Sequence, residues 1–257
     1  MMIIADVRCV LTLTVKRRLL NMIYGAMLAG GSGTRVKSSN VPKQFIEIDG
    51  MPIIVFTLMG MLKVQRFDYI YIAAREDYIE YLEAKVNEFV KDRHRVRIIA
   101  GGRERMDSIH NVTSAIERDE GIGEDDVIVI HDAVRPFVTE RILNDSIDFA
   151  GKYGACVCGL PCADTILHSV NGDVVDDIPA RSELFCGQAP DSFRLKRFIE
   201  MQDALTDEQR EKITGTSQIC TMNGQPIYII EGDAINFKIT TDSDLTMVKM
   251  LMKKDRR

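Results

Sequence analysis

The residues best equipped for chemistry sit in one stretch, Leu28-Ala29-Gly30-Gly31-Ser32-Gly33-Thr34-Arg35, with Pro42-Lys43-Gln44-Phe45 close behind. Three glycines without Cβ atoms let a turn pass through positive φ and point several backbone N–H groups at one guest. Arg35 and Lys43 set two positive charges beside those amides. A polyphosphate suits that combination, because its oxygens accept from amides and cations together. Two better-known glycine loops are excluded by position. A Walker A loop ends in Gly-Lys-Ser/Thr, whereas Gly33 is followed by Thr34-Arg35. A dinucleotide fingerprint needs a third glycine where this chain has Val36. A lone Gly-Gly-x-Gly is as often an ordinary strand-to-helix turn; the added arginine and lysine argue for a ligand site.

Two other clusters have a similar make-up. Gly101-Gly102-Arg103-Glu104-Arg105, with Ser108 just beyond, follows the β-rich run Val96–Ala100. His131-Asp132-Ala133-Val134-Arg135-Pro136 follows Val127–Ile130.

The elements that must position these clusters alternate between two periods. Ile23–Ala29, Tyr69–Ala73, Val96–Ala100 and Val127–Ile130 read as short strands, the last apolar throughout, as in a parallel sheet covered on both faces. Helical spacing spans Pro52 to Leu62, Glu76 to Lys91 and about Met106 to Arg118. Such alternation predicts an α/β fold, a doubly wound, mostly parallel, Rossmann-like sheet. Ligands of these sheets sit at the carboxyl ends of the strands, so the three clusters should converge on one pocket.

From Leu160 to about Gly187 the alternation breaks. Thr165–Ser169, Asn171-Gly172 and Val174-Val175 predict a hairpin with a type I′ turn, hence a projecting β-arm over about 160–187. An apolar hairpin standing alone is poorly stable, so a homodimer formed through the arm is expected. Further on, Glu200 to Lys212 reads as a solvated helix, Ile227–Ile230 and Asn236–Thr240 as strands, and Asp242 to Lys254 as an amphipathic helix. No repeat or linker divides the chain, so residues 22–257 form one domain. Residues 1–21 read as an extension outside the fold. Asp6 and Arg8 interrupt its apolar runs and Lys16-Arg17-Arg18 follows them, the reverse of a signal peptide and too broken for a membrane span.

The formal charge is −5, with 33 Lys+Arg against 38 Asp+Glu, which offers no footprint for nucleic acid. An anionic substrate must therefore be held by local cations. Six cysteines show no disulfide framework, and Cys156-x-Cys158 has no second Cys/His pair nearby to complete a zinc site. They read as core thiols of a cytoplasmic protein.

Leu28–Arg35, Pro42–Phe45, Gly101-Gly-x-x-Arg105-x-x-Ser108, His131–Phe137 and Lys238-Ile-Thr-Thr-Asp-x-Asp-Leu245 together resemble the family of methylerythritol-phosphate and ribitol-phosphate cytidylyltransferases. The resemblance runs from about Met22 to the C-terminus. It implies that CTP and a polyol phosphate give a CDP-polyol and pyrophosphate, with Mg²⁺. On matching positions, Arg35 and Lys43 would stabilise the pentacoordinate transition state, and backbone groups from Leu28 through Ala29, Gly30, Gly31, Ser32, Gly33 and Thr34 would cradle the phosphates. Gly101, Gly102, Arg103, Arg105 and Ser108 would receive cytosine and ribose. Asp132 would hold the metal, with Asp242 as a second candidate or a mere helix cap. Arg135, Thr165, Arg181 and Lys238 would bind the polyol phosphate, Arg181 and Thr165 by reaching the neighbouring subunit. His131 reads as structural, since joining a phosphate to a phosphate needs no general base.

The choice of branch rests on fewer residues. Val134, Cys186-Gly187-Gln188-x-Pro190, Asp177-Ile178-Pro179-x-Arg181 and Phe237–Thr241 resemble the ribitol branch; Ala133 resembles the isoprenoid branch, and Ala189 lacks a hydroxyl common to both. Ribitol 5-phosphate, for a teichoic-acid-like or capsular polymer, is the expected substrate. Methylerythritol 4-phosphate is the alternative. A nucleotide-binding regulator without catalysis, or a nucleotide-sugar pyrophosphorylase using another base, would share the glycine-rich opening.

Overall fold

The computed structural model describes residues 21–31 and 41–255, with side chains as far as residue 252. Ser32, Gly33, Thr34 and Arg35 fall outside these residues, as do Cys9 and the rest of residues 1–20.

Strand β1 (Ile23–Ala29) runs through the middle of the sheet, parallel to β4 (Tyr69–Ala74) on one side and β6 (Val127–Asp132) on the other. β5 (Val96–Ala100) extends the parallel set beyond β4. Every residue of β4 and β6 is buried, which is why their sequences carry no polar alternation. Beyond β6 the sheet changes character. β8 (Phe185–Arg194) lies antiparallel between β6 and β7 (Ala155–Pro161), and β9 (Tyr228–Glu231) closes the edge parallel to β7. The order is therefore β5-β4-β1-β6-β8-β7-β9, with a separate two-stranded ribbon of β2 (Glu47–Ile48) and β3 (Met51–Pro52).

Helices cover both faces. On one, α1 (Ile53–Leu62), α2 (Ile79–Phe89) and α4 (Glu140–Tyr153) pack on residues such as Met27, Ile72 and Val129. On the other, α3 (Arg105–Glu120) and α5 (Leu195–Asp203) cover Ala26, Tyr71, Ile128 and Ile130. Two short helices follow, α6 (Asp207–Lys212) and α7 (Gln218–Met222), and then the long α8 (Asp242–Asp255). α8 docks through Leu245, Val248 and Met252 onto Ile48, Ile53, Val134 and Ile239. Alternation along β6 explains the division: Ile128, Ile130 and Asp132 share a face, Val127 and Val129 the other. Helix limits follow local chemistry. Glu104 and Asp107 form a capping box at the start of α3, and the Thr139 hydroxyl accepts from Ile142 N–H to start α4.

Several expectations are corrected. α4, α7 and the antiparallel β8 were not foreseen, and Glu200 to Lys212 is two helices broken at 204–206. Pro52 ends β3 and precedes α1 instead of lying in its first turn. Asn236–Thr240 is no strand; the segment is tied by Ile239 N–H donating to the Val134 carbonyl. The arm is present, but its hairpin reduces to one isolated bridge, His168 to Asp177. A type I′ turn needs positive φ at both central residues. Gly172 has it (φ 86°) and Asn171 does not, because the Asn171 side chain accepts from the Asp173 and Val174 amides and holds a different turn. Cys156, Cys158 and Cys220 are core thiols, whereas Cys162 and Cys186 lie outside the core at the root of the arm, their sulfurs 3.3 Å apart.

Candidate active site

The carboxyl ends of β1, β4, β5 and β6 open into a cavity of about 590 Å³. Leu28, Ala29, Gly30 and Gly31 form one wall and Gly102, Arg103, Arg105 and Ser108 another, and Lys43, Asp132 and Lys238 also line it. Segments separated by more than two hundred residues thus meet as the strand-end rule requires.

The glycine turn is held from below. The Gln44 amide donates to the Ala29 and Gly31 carbonyls, both at 2.7 Å, which pins the turn. Pro42 supplies the extended approach, and Lys43–Phe45 then form a short 3-10 turn that buries Lys43 and Gln44. The Lys43 ammonium donates to the Ile239 carbonyl at 2.7 Å, which sets it beside Lys238. Across the cavity, Gly102 approaches α3 so closely that a Cβ there would lie 2.0 Å from Asp107 Cβ. Ser108 is buried, and its hydroxyl accepts from Gly102 N–H at 3.0 Å and donates to the Glu104 carbonyl. Its work on view is therefore to shape the turn.

Asp132 is the electrostatic centre. Oδ1 accepts from Arg105 at 2.9 Å; Oδ2 meets Lys238 at 3.0 Å and Arg135 Nε at 3.3 Å. Burial alone would push its carboxyl up, but Arg105, Lys238 and Arg135 outweigh that and hold it well below the usual carboxylate range. Arg135 is buried and also donates to the Asn236 carbonyl, which ties the 236–239 segment to the end of β6. His131 is wholly buried, its Nε2 against the Arg135 carbonyl, and burial pushes it down to about 4. It is neutral at physiological pH and structural, as expected.

Three cations around one carboxylate leave positive charge for incoming phosphates. Among the described residues there is no cluster of three or more Asp, Glu, His or Cys able to hold a metal ion. Asp132 is still a fitting single protein ligand for Mg²⁺, which is commonly held by one or two carboxylates together with substrate phosphates. Asp242 does not line the cavity. At the start of α8 the Thr241 hydroxyl accepts from Asp244 N–H, and the Asp244 carboxylate accepts from the Thr240 and Thr241 amides. Thr165 and Arg181 are exposed on the arm, where Arg181 donates to the Ala163 carbonyl, and neither lines this chain's cavity.

Residues not foreseen at the site include Gln44, Arg75 and Thr216. Arg75 lines the cavity directly after β4, where the strand-end rule points, and Gln44 lay within the Pro-Lys-Gln-Phe stretch. Thr216 is buried and accepts from Arg105 at 3.2 and 3.3 Å. It had no local signal, because the loop that carries it had no assigned element.

This sheet, with Lys43, Arg105 and Lys238 gathered at its parallel strand ends, defines an α/β protein whose strand-end cavity suits an anionic ligand. Solved structures agree on the fold. A 4-diphosphocytidyl-2C-methyl-D-erythritol synthase from Anaerococcus prevotii matches with a TM-score of 0.74 at 22% identity, covering 91% of this chain and 99% of that one. A 2-C-methyl-D-erythritol 4-phosphate cytidylyltransferase from Francisella tularensis matches at 0.74 and 24%, covering 90% and 99%. Residues 23–254 match the family model described as IspD, 2-C-methyl-D-erythritol 4-phosphate cytidylyltransferase. A ribitol-5-phosphate cytidylyltransferase of Lactiplantibacillus plantarum is 38% identical over 233 residues, 91% of this chain and 99% of that protein. The chain belongs to the IspD family of cytidylyltransferases and is a nucleotidyltransferase. No helix among the described residues is long and apolar enough to cross a membrane.

Proposed function

We propose that this enzyme transfers the cytidylyl group of CTP to ribitol 5-phosphate, releasing pyrophosphate and forming CDP-ribitol for a teichoic-acid-like or capsular polymer in the cytoplasm. The observation that carries the reading is Asp132 braced by Arg105, Arg135 and Lys238, with Lys43 in the same cavity beside the Gly30-Gly31 turn. Two anions must meet in this reaction, and such a pocket lowers their mutual repulsion. The 38% identity to a ribitol-5-phosphate cytidylyltransferase supports the choice of polyol.

The polyol phosphate oxygen is already an anionic nucleophile, so attack on the α-phosphorus needs positioning and charge neutralisation more than proton transfer. Lys43 is placed to counter charge that builds on the α-phosphate and the departing pyrophosphate; Arg35, on the resemblance, joins it. Backbone amides of the glycine turn hold the triphosphate, and the Gly101–Ser108 wall takes the nucleoside. Lys238 and Arg135 hold the polyol phosphate. Mg²⁺, held by Asp132 and phosphate oxygens, would supply further charge neutralisation. Arg181 and Thr165 reach the site from the arm of a second copy, which makes the enzyme a homodimer.

Pyrophosphate release measured with CTP and each polyol phosphate tests the substrate. Turnover with ribitol 5-phosphate is expected. Efficient turnover of 2-C-methyl-D-erythritol 4-phosphate with none of ribitol 5-phosphate overturns the choice and leaves the chemistry intact.

A further inference from the structure

Behind the cavity lies a buried acid that the mechanism above does not use. Asp191 sits on β8 directly opposite Ile130 of β6, and is only 8% exposed. Paired residues of adjacent strands share a face and so do residues two apart, which puts Asp191 on the same face as Asp132, one step back. The two carboxylates are joined by a chain of contacts. Arg105 donates through Nη1 to Asp132, and through Nε and Nη2 to the hydroxyl of Thr216. That hydroxyl and the Ser217 N–H both lie toward the Asp191 carboxyl.

The donor inventory fixes the direction of this chain. A threonine hydroxyl has one hydrogen, and a guanidinium offers donors only. Thr216 therefore accepts from Arg105 and keeps its own hydrogen, on the side where the Asp191 carboxyl lies. The loop that presents Thr216 is itself ordered by Gln218, whose side-chain oxygen accepts from the Thr214 and Gly215 amides.

We propose that Asp191 and Thr216 form a positioning pair, which anchors the Arg105 guanidinium so that it stays in place when Asp132 turns toward the nucleotide and its metal. Asp132 cannot give the same lone pairs to Arg105 and to a cation. An arginine held only by Asp132 would then swing toward the nearest phosphate and take a non-productive geometry. Held from behind by Thr216, it keeps its place on the nucleoside side of the cavity. The pair acts through Arg105 and touches no substrate. The inference rests on the cytidylyl-transfer reading, yet the tether can be seen without turnover.

Two measurements test it. In the protein alone, with no nucleotide or metal added, the ¹⁵Nε–¹Hε signal of Arg105, assigned by its loss in Arg105→Lys, is expected to be sharp and protected. Thr216→Val should broaden or shift it, while Thr216→Ser, which keeps the hydroxyl, should preserve it. In steady state, Thr216→Val and Asp191→Asn are expected to lower kcat by about tenfold with KM for CTP within about threefold, and Thr216→Ser to restore most of the loss. An Arg105 signal indifferent to Thr216→Val removes the tether. A wild-type kcat in a folded Thr216→Val enzyme removes its role. Should the wild-type protein fail to use CTP at all, the signal still reports on the tether.

Discussion

Lys43 and Asp132 are close in space and opposite in demand, and each makes a distinct prediction. Lys43 spends a hydrogen bond on the Ile239 carbonyl in the protein alone, so its ammonium is aimed before substrate arrives. A group whose value lies in countering charge that appears during reaction should matter more to turnover than to binding. Lys43→Ala is expected to leave CTP affinity within about tenfold while lowering kcat by about a hundredfold or more. Equilibrium binding alongside steady-state rates checks this; a kcat within about threefold of wild type would refute the assigned role. The two acids behind that lysine have opposite linkage to pH. Burial, against the pull of Arg105, pushes Asp191 up to about 6. The charged and titratable groups around it are Arg105, Asp132, Cys156, Cys158 and Cys220. Its folded value exceeds the unfolded one, so the fold favours the protonated form. The cost of ionising Asp191 is absent below about pH 4, grows toward about 6 and is full above that. Asp132 does the reverse: its stabilisation is present above the unfolded carboxylate range and lost as pH falls below it. His131, pushed down to about 4, adds stability that is lost as pH falls below about 6.5. Only a difference measurement isolates Asp191. Asp191→Asn should be more stable than wild type at about pH 8, on the order of 2 kcal/mol, and the gap should close toward about pH 5. Urea unfolding at both pH values reads this, and a gap that widens on acidification contradicts the linkage.

At the scale of elements, the approach of Gly102 to α3 sets the geometry of the wall proposed to take the nucleoside. A Cβ at residue 102 would meet Asp107 Cβ at 2.0 Å and its backbone carbonyl carbon at 2.9 Å, so the helix start would have to move. Gly102→Ala is expected to cost roughly 1–3 kcal/mol and to raise KM for CTP. Gly151, inside α4 with nothing within 4 Å of its would-be Cβ, is the control. Gly151→Ala should be neutral or stabilising by about 0.5–1 kcal/mol. Equal losses at both positions, read by denaturant unfolding, would show that close packing at 102 is not the cause. These glycines also show what was legible in advance. β4 and β6 announce themselves because doubly covered strands are buried at every position, β1 and β5 by their short β-rich runs, and the chemistry sits directly after them. The antiparallel β8 had no such mark: its Gly187, Gln188, Pro190, Asp191 and Ser192 read as loop residues. Gln188 is satisfied by a partner far along the chain, its amide donating to the Asp233 carbonyl at 2.9 Å, and no local pattern encodes that. Thr216 and Asp191 were missed for the same reason. The turn of the arm was misread because Asn-Gly suits a type I′ turn locally, while the Asn171 side chain found amide partners that hold another.

For the whole molecule, the arm is the part a single chain leaves unexplained. Val170 is 82% exposed, Val174 63% and Leu167 58%, far more than a stable domain leaves on a segment with one backbone bridge of its own. Arg181 and Thr165 lie on this arm and outside their own chain's cavity, while Lys43 and Lys238 line it. A two-fold exchange of arms would cover the apolar residues and complete two identical sites at once, since a self-complementary interface does each thing twice. The arrangement is open to a direct test by mixing subunits. Lys43→Ala and Arg181→Ala are each expected to be nearly inactive alone. In a mixed dimer, one site carries both lesions and the other neither. With random reassortment half the dimers are mixed and half their sites intact, so activity should recover to about a quarter of wild type. If Arg181 served its own chain, every site in the mixture would carry one lesion and mixing would recover nothing. If the protein were monomeric by sedimentation at micromolar concentration, the arm would need another partner and the shared site would be lost. Recovery that follows the proportion of mixed dimers, titrated by varying the ratio of the two variants, is the outcome that joins the exposed valines of the arm to the lysines of the cavity in one assembly.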